Sequence, residues 1–134
     1  YNANSVALYG DYIAYFNYAS NYISVLDINT DVDAFATGIN NLSYPTFFYD
    51  GRLAGSLNNE IYIYKSDFSS YSSINFLTQG LSPVYPAVSP NGEKIVFIDS
   101  PTGNLYIYDI KKGGNAVLLK SGTCTSPNYI AKPR

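Results

Sequence analysis

The run Ser82-Pro83-Val84-Tyr85-Pro86-Ala87-Val88-Ser89-Pro90-Asn91-Gly92-Glu93-Lys94-Ile95-Val96-Phe97 decides how the rest of the chain is read. A short apolar stretch ends at Val88, and Asn91-Gly92 is a dipeptide suited to the positive φ of a tight turn. A second alternating stretch then resumes at Lys94. The order is strand, turn, strand. Pro86 is expected to open the first strand, where a missing N–H is harmless.

Outward from this hairpin the same landmarks recur. Gly10, Gly51 and Gly92 lie 41 residues apart, and so do Pro45, Pro86 and Pro127. Aligned on them, SVALYGDYIAYF from Ser5 and TFFYDGRLAGSL from Thr46 match AVSPNGEKIVFI from Ala87 as strand, glycine turn and strand. Each hairpin is followed by a β-branched and aromatic run, Tyr22–Ile28, Ile61–Lys65 and Leu105–Ile110, suited to a half-buried pleat. A fourth run then ends at glycine: Ala34–Gly38, Ile74–Gly80 and Ala116–Gly122. No window carries a helical apolar stripe.

Four antiparallel strands per period, without helices, predict an all-β chain built of β-propeller blades. The repeats are placed at 4–44, 45–85 and 86–126, and the first strand of a fourth, Pro127 to Ala131, begins at 127–134. Closed propellers typically use about four to eight blades. Three leave an incomplete ring, so the sequence predicts either a stretch of a longer chain or identical copies that supply the missing blades. The absence of Met at Tyr1 agrees with the first alternative.

In the third repeat, Pro86, Ser89-Pro90-Asn91-Gly92, Gly103-Asn104, Leu105-Tyr106-Ile107-Tyr108 and Gly113-Gly114 together resemble the repeat of TolB-like (WD40-like) propellers. The motif covers residues 82–122; in repeats one and two it is replaced by Ala-Leu-Tyr-Gly and Phe-Tyr-Asp-Gly. The resemblance implies a protein-binding scaffold, a surface or secreted component, or the substrate-gating propeller of a prolyl-oligopeptidase-like serine peptidase.

Composition narrows the function. The chain has 134 residues, 13% charged, with a net charge of -2, and no basic block longer than Lys111-Lys112, which gives no footprint for nucleic acid. No apolar run approaches the length of a membrane-spanning helix. His, Met and Trp are absent, so no imidazole acts as base or ligand and no Ser-His-Asp triad forms within the chain. The lone Cys124 makes neither an internal disulfide nor, without His, a zinc site; it is expected to be a small semi-buried residue or else to pair with a cysteine outside the chain. A surface rich in Asn, Ser and Tyr, with the sequon at Asn41, points to an extracellular, cell-surface or periplasmic setting and marks Asn41 as a glycosylation candidate.

Three groups of residues are candidates for chemistry. Asp27, Asn29, Asp31 and Asp33 carry oxygen ligands at alternate positions, as a calcium loop does, although Val32 replaces the glycine such a loop needs. No other cofactor is expected. Among 15 tyrosines, Tyr12, Tyr15, Tyr18 and Tyr22 of the first repeat are the candidates for a partner-binding or glycan-stacking surface. In the pairs Tyr62/Tyr64 and Tyr106/Tyr108, one member is expected between blades and the other outward or toward a neighbouring strand. Asp67, Asp99 and Asp109 are the only carboxylates considered for a glycosidase pair, and their strand-end positions suit turn capping better. The reading reached from sequence is a non-enzymatic interaction module whose partner is a protein or further blades, with glycan binding as another alternative.

Overall fold

The computed structural model describes residues 6–122. The expected strand at Pro127 to Ala131, Cys124 and the start of the first repeat at Asn4 lie outside the described residues. Among the described residues twelve strands form three four-stranded antiparallel sheets, each in sequential order. Blade 1 holds β1 (Val6–Tyr9), β2 (Tyr12–Asn17), β3 (Tyr22–Asp27) and β4 (Val32–Ala36). Blade 2 holds β5 (Ser43–Phe47), β6 (Leu53–Leu57), β7 (Glu60–Tyr64) and β8 (Tyr71–Asn75). Blade 3 holds β9 (Pro83–Val88), β10 (Lys94–Asp99), β11 (Leu105–Asp109) and β12 (Val117–Lys120). The first strands β1, β5 and β9 pack side by side and form the inner wall of the stack.

Gly10, Gly51 and Gly92 have φ of 55°, 91° and 73° in the three equivalent turns, as the repeat frame requires. Two local expectations are corrected. The fourth strand of blade 2 is Tyr71–Asn75, and Leu77–Gln79 form a single 3-10 turn closed by Gly80 instead of continuing it. Pro45 and Pro86 do not open their strands but sit buried within β5 and β9. The ladder slips by one residue beside each: Ser43 and Thr46 face Ser56 and Ala54, while Val84 and Ala87 face Ile98 and Val96. A β-bulge leaves one residue without a ladder partner, and a proline without an N–H fits there.

Period two explains the core. Leu53, Tyr62 and Tyr64 turn toward blade 1, joining Ala14, Ile23, Val25 and Phe35, whereas Ala54, Ile61 and Ile63 turn toward blade 3, joining Phe76, Ile95 and Phe97. Tyr62 and Tyr64 therefore share one face, as do Tyr106 and Tyr108, because residues two apart in a strand project to the same side. Tyr64 and Tyr108 are the buried members, while Tyr62 packs on Tyr71 of the neighbouring β8 at 5.2 Å and Tyr106 on Phe97 of the neighbouring β10 at 5.8 Å. Aromatic rings fill the outer part of both junctions: Phe35 stacks on Phe68 at 4.8 Å, and Phe76 meets Phe97 at 4.9 Å. At the ends of the stack, Leu8 of blade 1 is 67% exposed and Val117 of blade 3 is 61% exposed, each on the face turned away from blade 2.

Candidate functional site

The bulges define a site on the inner wall. Each contains a tyrosine followed by proline, Tyr44-Pro45 and Tyr85-Pro86, and the two tyrosines have φ of 57° and 51°. A bulky residue in the left-handed region is an outlier, and the position before proline disfavours it further. Such backbone strain, of order 1–3 kcal/mol per residue, persists only where the surroundings impose it, and it concentrates at functional positions. The bulges impose it twice at the same point of the repeat. As a result the two half-buried rings meet at a centroid distance of 4.3 Å and an interplanar angle of 58°.

Neighbouring loops complete the site. The β2–β3 turn is tied to the entry into β5, since Asn41 N–H donates to the Asn21 carbonyl at 2.7 Å and Asn21 Nδ2 donates to the Asn40 and Asn41 side-chain oxygens. The β6–β7 turn is tied to the entry into β9 in the same manner, Asn59 Nδ2 donating to the Leu81 carbonyl at 2.8 Å. Tyr18, 56% exposed and packed edge-on to Phe16, is the outermost aromatic of this group. Burial, then Tyr85, and more weakly Tyr18, push the Tyr44 hydroxyl above the ordinary phenol range. The site therefore offers flat apolar rings and hydroxyls that donate and accept, beside the side chains of Asn21, Asn41 and Asn59.

The four tyrosines singled out from sequence do not share this surface. Tyr12 packs edge-on against Phe68 in the blade 1–blade 2 junction, 6.2 Å away. Tyr15, on the opposite face of β2, donates its hydroxyl to the Asp33 carboxylate at 3.1 Å. Tyr22 is half-buried at the start of β3, and of the four only Tyr18 is near enough to act on the Tyr44 hydroxyl electrostatically. Tyr44 and Tyr85 were legible only as the residues preceding two repeat-marking prolines.

The alternating acids are dispersed. Asp27 accepts from the Asn29 N–H at 2.9 Å, Asn29 Nδ2 donates to Asp11 at 2.9 Å, Asp31 takes a left-handed turn position, and Asp33 receives Tyr15. Among the described residues no three acidic, cysteine or histidine side chains gather into a metal-holding group. Asn41 is exposed, with φ 68°, and its side-chain oxygen accepts from Asn21 at 2.6 Å.

The strand-end carboxylates cap turns. Asp99, 3% exposed, accepts from the Ser82 N–H at 2.9 Å and from the Thr102 hydroxyl at 2.6 Å. Asp109 stands opposite Lys94 at the other end of the β10–β11 ladder, where the Lys112 N–H, and then Lys94, hold its carboxyl below the usual range. Asp67 is likewise lowered by the Ser69 hydroxyl and N–H.

Antiparallel four-stranded sheets, repeated in register with their first strands side by side, make this chain a β-propeller segment. It is 36% identical over 74 residues to the protein TolB homolog of Chlorobaculum tepidum; the match covers 54% of this chain and 17% of that protein. No protein-family profile matches the chain. Its fold is similar to that of Kuenenia stuttgartiensis hydrazine synthase, with a TM-score of 0.68 and 18% identity over 86% of this chain and 36% of that one. It is also similar to a putative TolB from Agrobacterium tumefaciens, with a TM-score of 0.64 and 19% identity over 87% of this chain and 48% of that one. The chain is thus a propeller segment similar to TolB-like proteins, and it spans well under two thirds of the length of each of these proteins.

Proposed function

We propose that the chain acts as a non-enzymatic interaction module, in the periplasm or at the cell surface, which docks a protein partner over Tyr18, Tyr44 and Tyr85. The observation that carries this reading is the repeated Tyr-Pro bulge, which holds two rings together on the inner wall at a cost in backbone strain. Aromatic anchors of this kind supply a large share of interface energy. The absence of histidine and the separation of Asp99 from Asp109 support a non-catalytic role. The exposed end faces at Leu8 and Val117 are met by further blades of the same protein or of identical copies.

The test is photo-crosslinking in the native compartment with a benzophenone amino acid at position 18, and at exposed position 72 on the outer strand β8 as control. Position 18 should yield a specific protein adduct that is lost when Tyr85 is replaced by Ala, and position 72 should not. Equal adducts at both positions would refute the site. Turnover of a peptide or glycoside that is lost on a single Asp→Asn change would refute the non-enzymatic reading.

A further inference from the structure

On the opposite side of the stack, where the β5–β6 and β9–β10 turns meet, lies a cleft of about 250 Å³ lined by Phe48, Tyr49, Asp50, Arg52, Pro90 and Gly92. Its base is a guanidinium held on three sides. Arg52 lies 4.0 Å over the Phe48 ring, and its Nε donates to Asp50 at 2.9 Å. Its Nη2 rests against the Gly92 backbone, only 2.8 Å from where a Cβ would stand. Neither Nη hydrogen-bonds to another of the described residues.

The repeat shows that this is a departure and not the blade's default. At the blade 1–blade 2 junction, the equivalent recess over Gly51 is filled by the Tyr9 ring, 3.0 Å from the same virtual Cβ. At the blade 2–blade 3 junction a charged fork takes the place of that aromatic plug. Burial would raise the Asp50 carboxyl, but the Arg52 side chain and N–H outweigh it and lower it, so a carboxylate faces the guanidinium at neutral pH. Asp50 engages the Nε edge, which leaves the Nη edge for a second planar acceptor, the geometry in which arginine grips a carboxylate with two parallel bonds. Tyr49, 76% exposed, and Pro90 supply flat apolar walls beside it.

We infer that this cleft is a second binding site, which takes a carboxylate carried next to a flat apolar group, as in a peptide C-terminus or a small aromatic acid. It is independent of the tyrosine site on the other side. The fork is preorganised by Phe48, Asp50 and Gly92, so little side-chain entropy is lost on binding.

The test is an NMR titration of the full chain with hippurate, with hippuramide and inorganic phosphate as comparison probes. Hippurate should shift the Tyr49, Arg52 and Gly92 signals saturably. Hippuramide, which lacks the charge, should bind about tenfold more weakly or less, a difference of about 1.4 kcal/mol. Arg52→Lys, which keeps the charge and loses the fork, should weaken hippurate by a similar factor with the spectrum otherwise unchanged, and Arg52→Gln should abolish saturation. Equal binding of hippuramide, unchanged affinity in Arg52→Lys, or no saturable shift with hippurate would overturn the inference. Phosphate binding as tight as hippurate would overturn the part assigned to the apolar walls.

Discussion

Adding one methyl group at Gly55 is predicted to strain the junction between blades 1 and 2. Gly55 is buried in β6, and a Cβ there would stand 2.7 Å from Ile23 Cδ1, 3.2 Å from the Ser43 carbonyl oxygen and 3.3 Å from Leu42 Cδ1. The carbonyl belongs to the bulged inner strand, and Ile23 is fully buried, so neither has room to retreat. Overpacking of this kind costs about 1–3 kcal/mol. Reduced freedom of the unfolded chain returns about 0.4–1 kcal/mol for Gly→Ala. A net loss of about 1–2 kcal/mol should follow, read as a lower urea midpoint at unchanged slope. Ile23→Val removes the nearest clashing carbon and alone costs about 0.5–1.5 kcal/mol. Combined with Gly55→Ala it should cost less than the sum of the two, with a coupling of at least about 0.5 kcal/mol. A Gly55→Ala protein as stable as the parent, or strictly additive changes in the double variant, would refute the close-approach argument.

Three further outcomes are expected. Burial, then Tyr71 and Tyr62, push the Tyr64 hydroxyl up to about 12, so the unfolded chain ionises this group first and stability should fall as pH rises from about 10 to about 12; Tyr64→Phe should flatten that fall in alkaline unfolding curves. Tyr85→Gly removes a left-handed penalty of about 1–2 kcal/mol, which offsets its lost ring contacts, so it should cost clearly less than Tyr12→Gly in urea unfolding, and an equal cost would argue against strain at the bulge. Leu8→Lys and Val117→Lys place charge on the two end faces and should each reduce the assembly or ring completion seen by sedimentation, whereas unchanged sedimentation would show that these faces meet no further blade.

The repeat was legible because its markers are local. A turn that demands positive φ selects glycine whatever packs around it, so Gly10, Gly51 and Gly92 announce the hairpins in sequence. The strand at Tyr71–Asn75 was hidden because its exposed outer-edge position needs no apolar pattern, and its serines read as loop. The bulges were hidden for the opposite reason. Local propensity argues against a left-handed tyrosine before proline, and only the ladder with the neighbouring strand and the packing of adjacent blades impose it. The tyrosine site was therefore half visible: the 41-residue spacing of Tyr44-Pro45 and Tyr85-Pro86 is in the sequence, but the contact of the rings follows from adjacency of β5 and β9. The alternating acids look equivalent in sequence, but the fold gives Asp27 and Asp33 different partners, the Asn29 N–H and the Tyr15 hydroxyl.

The central claim is that the tyrosine-lined end of the inner strands is the docking surface. Hydrogen–deuterium exchange of the full-length protein, alone and with the partner recovered by crosslinking, tests it most directly. Protection is predicted at residues 18–22, 40–45 and 82–86, on one side of the stack. Protection confined to the outer strands β8 and β12, with those three segments unchanged, would contradict it.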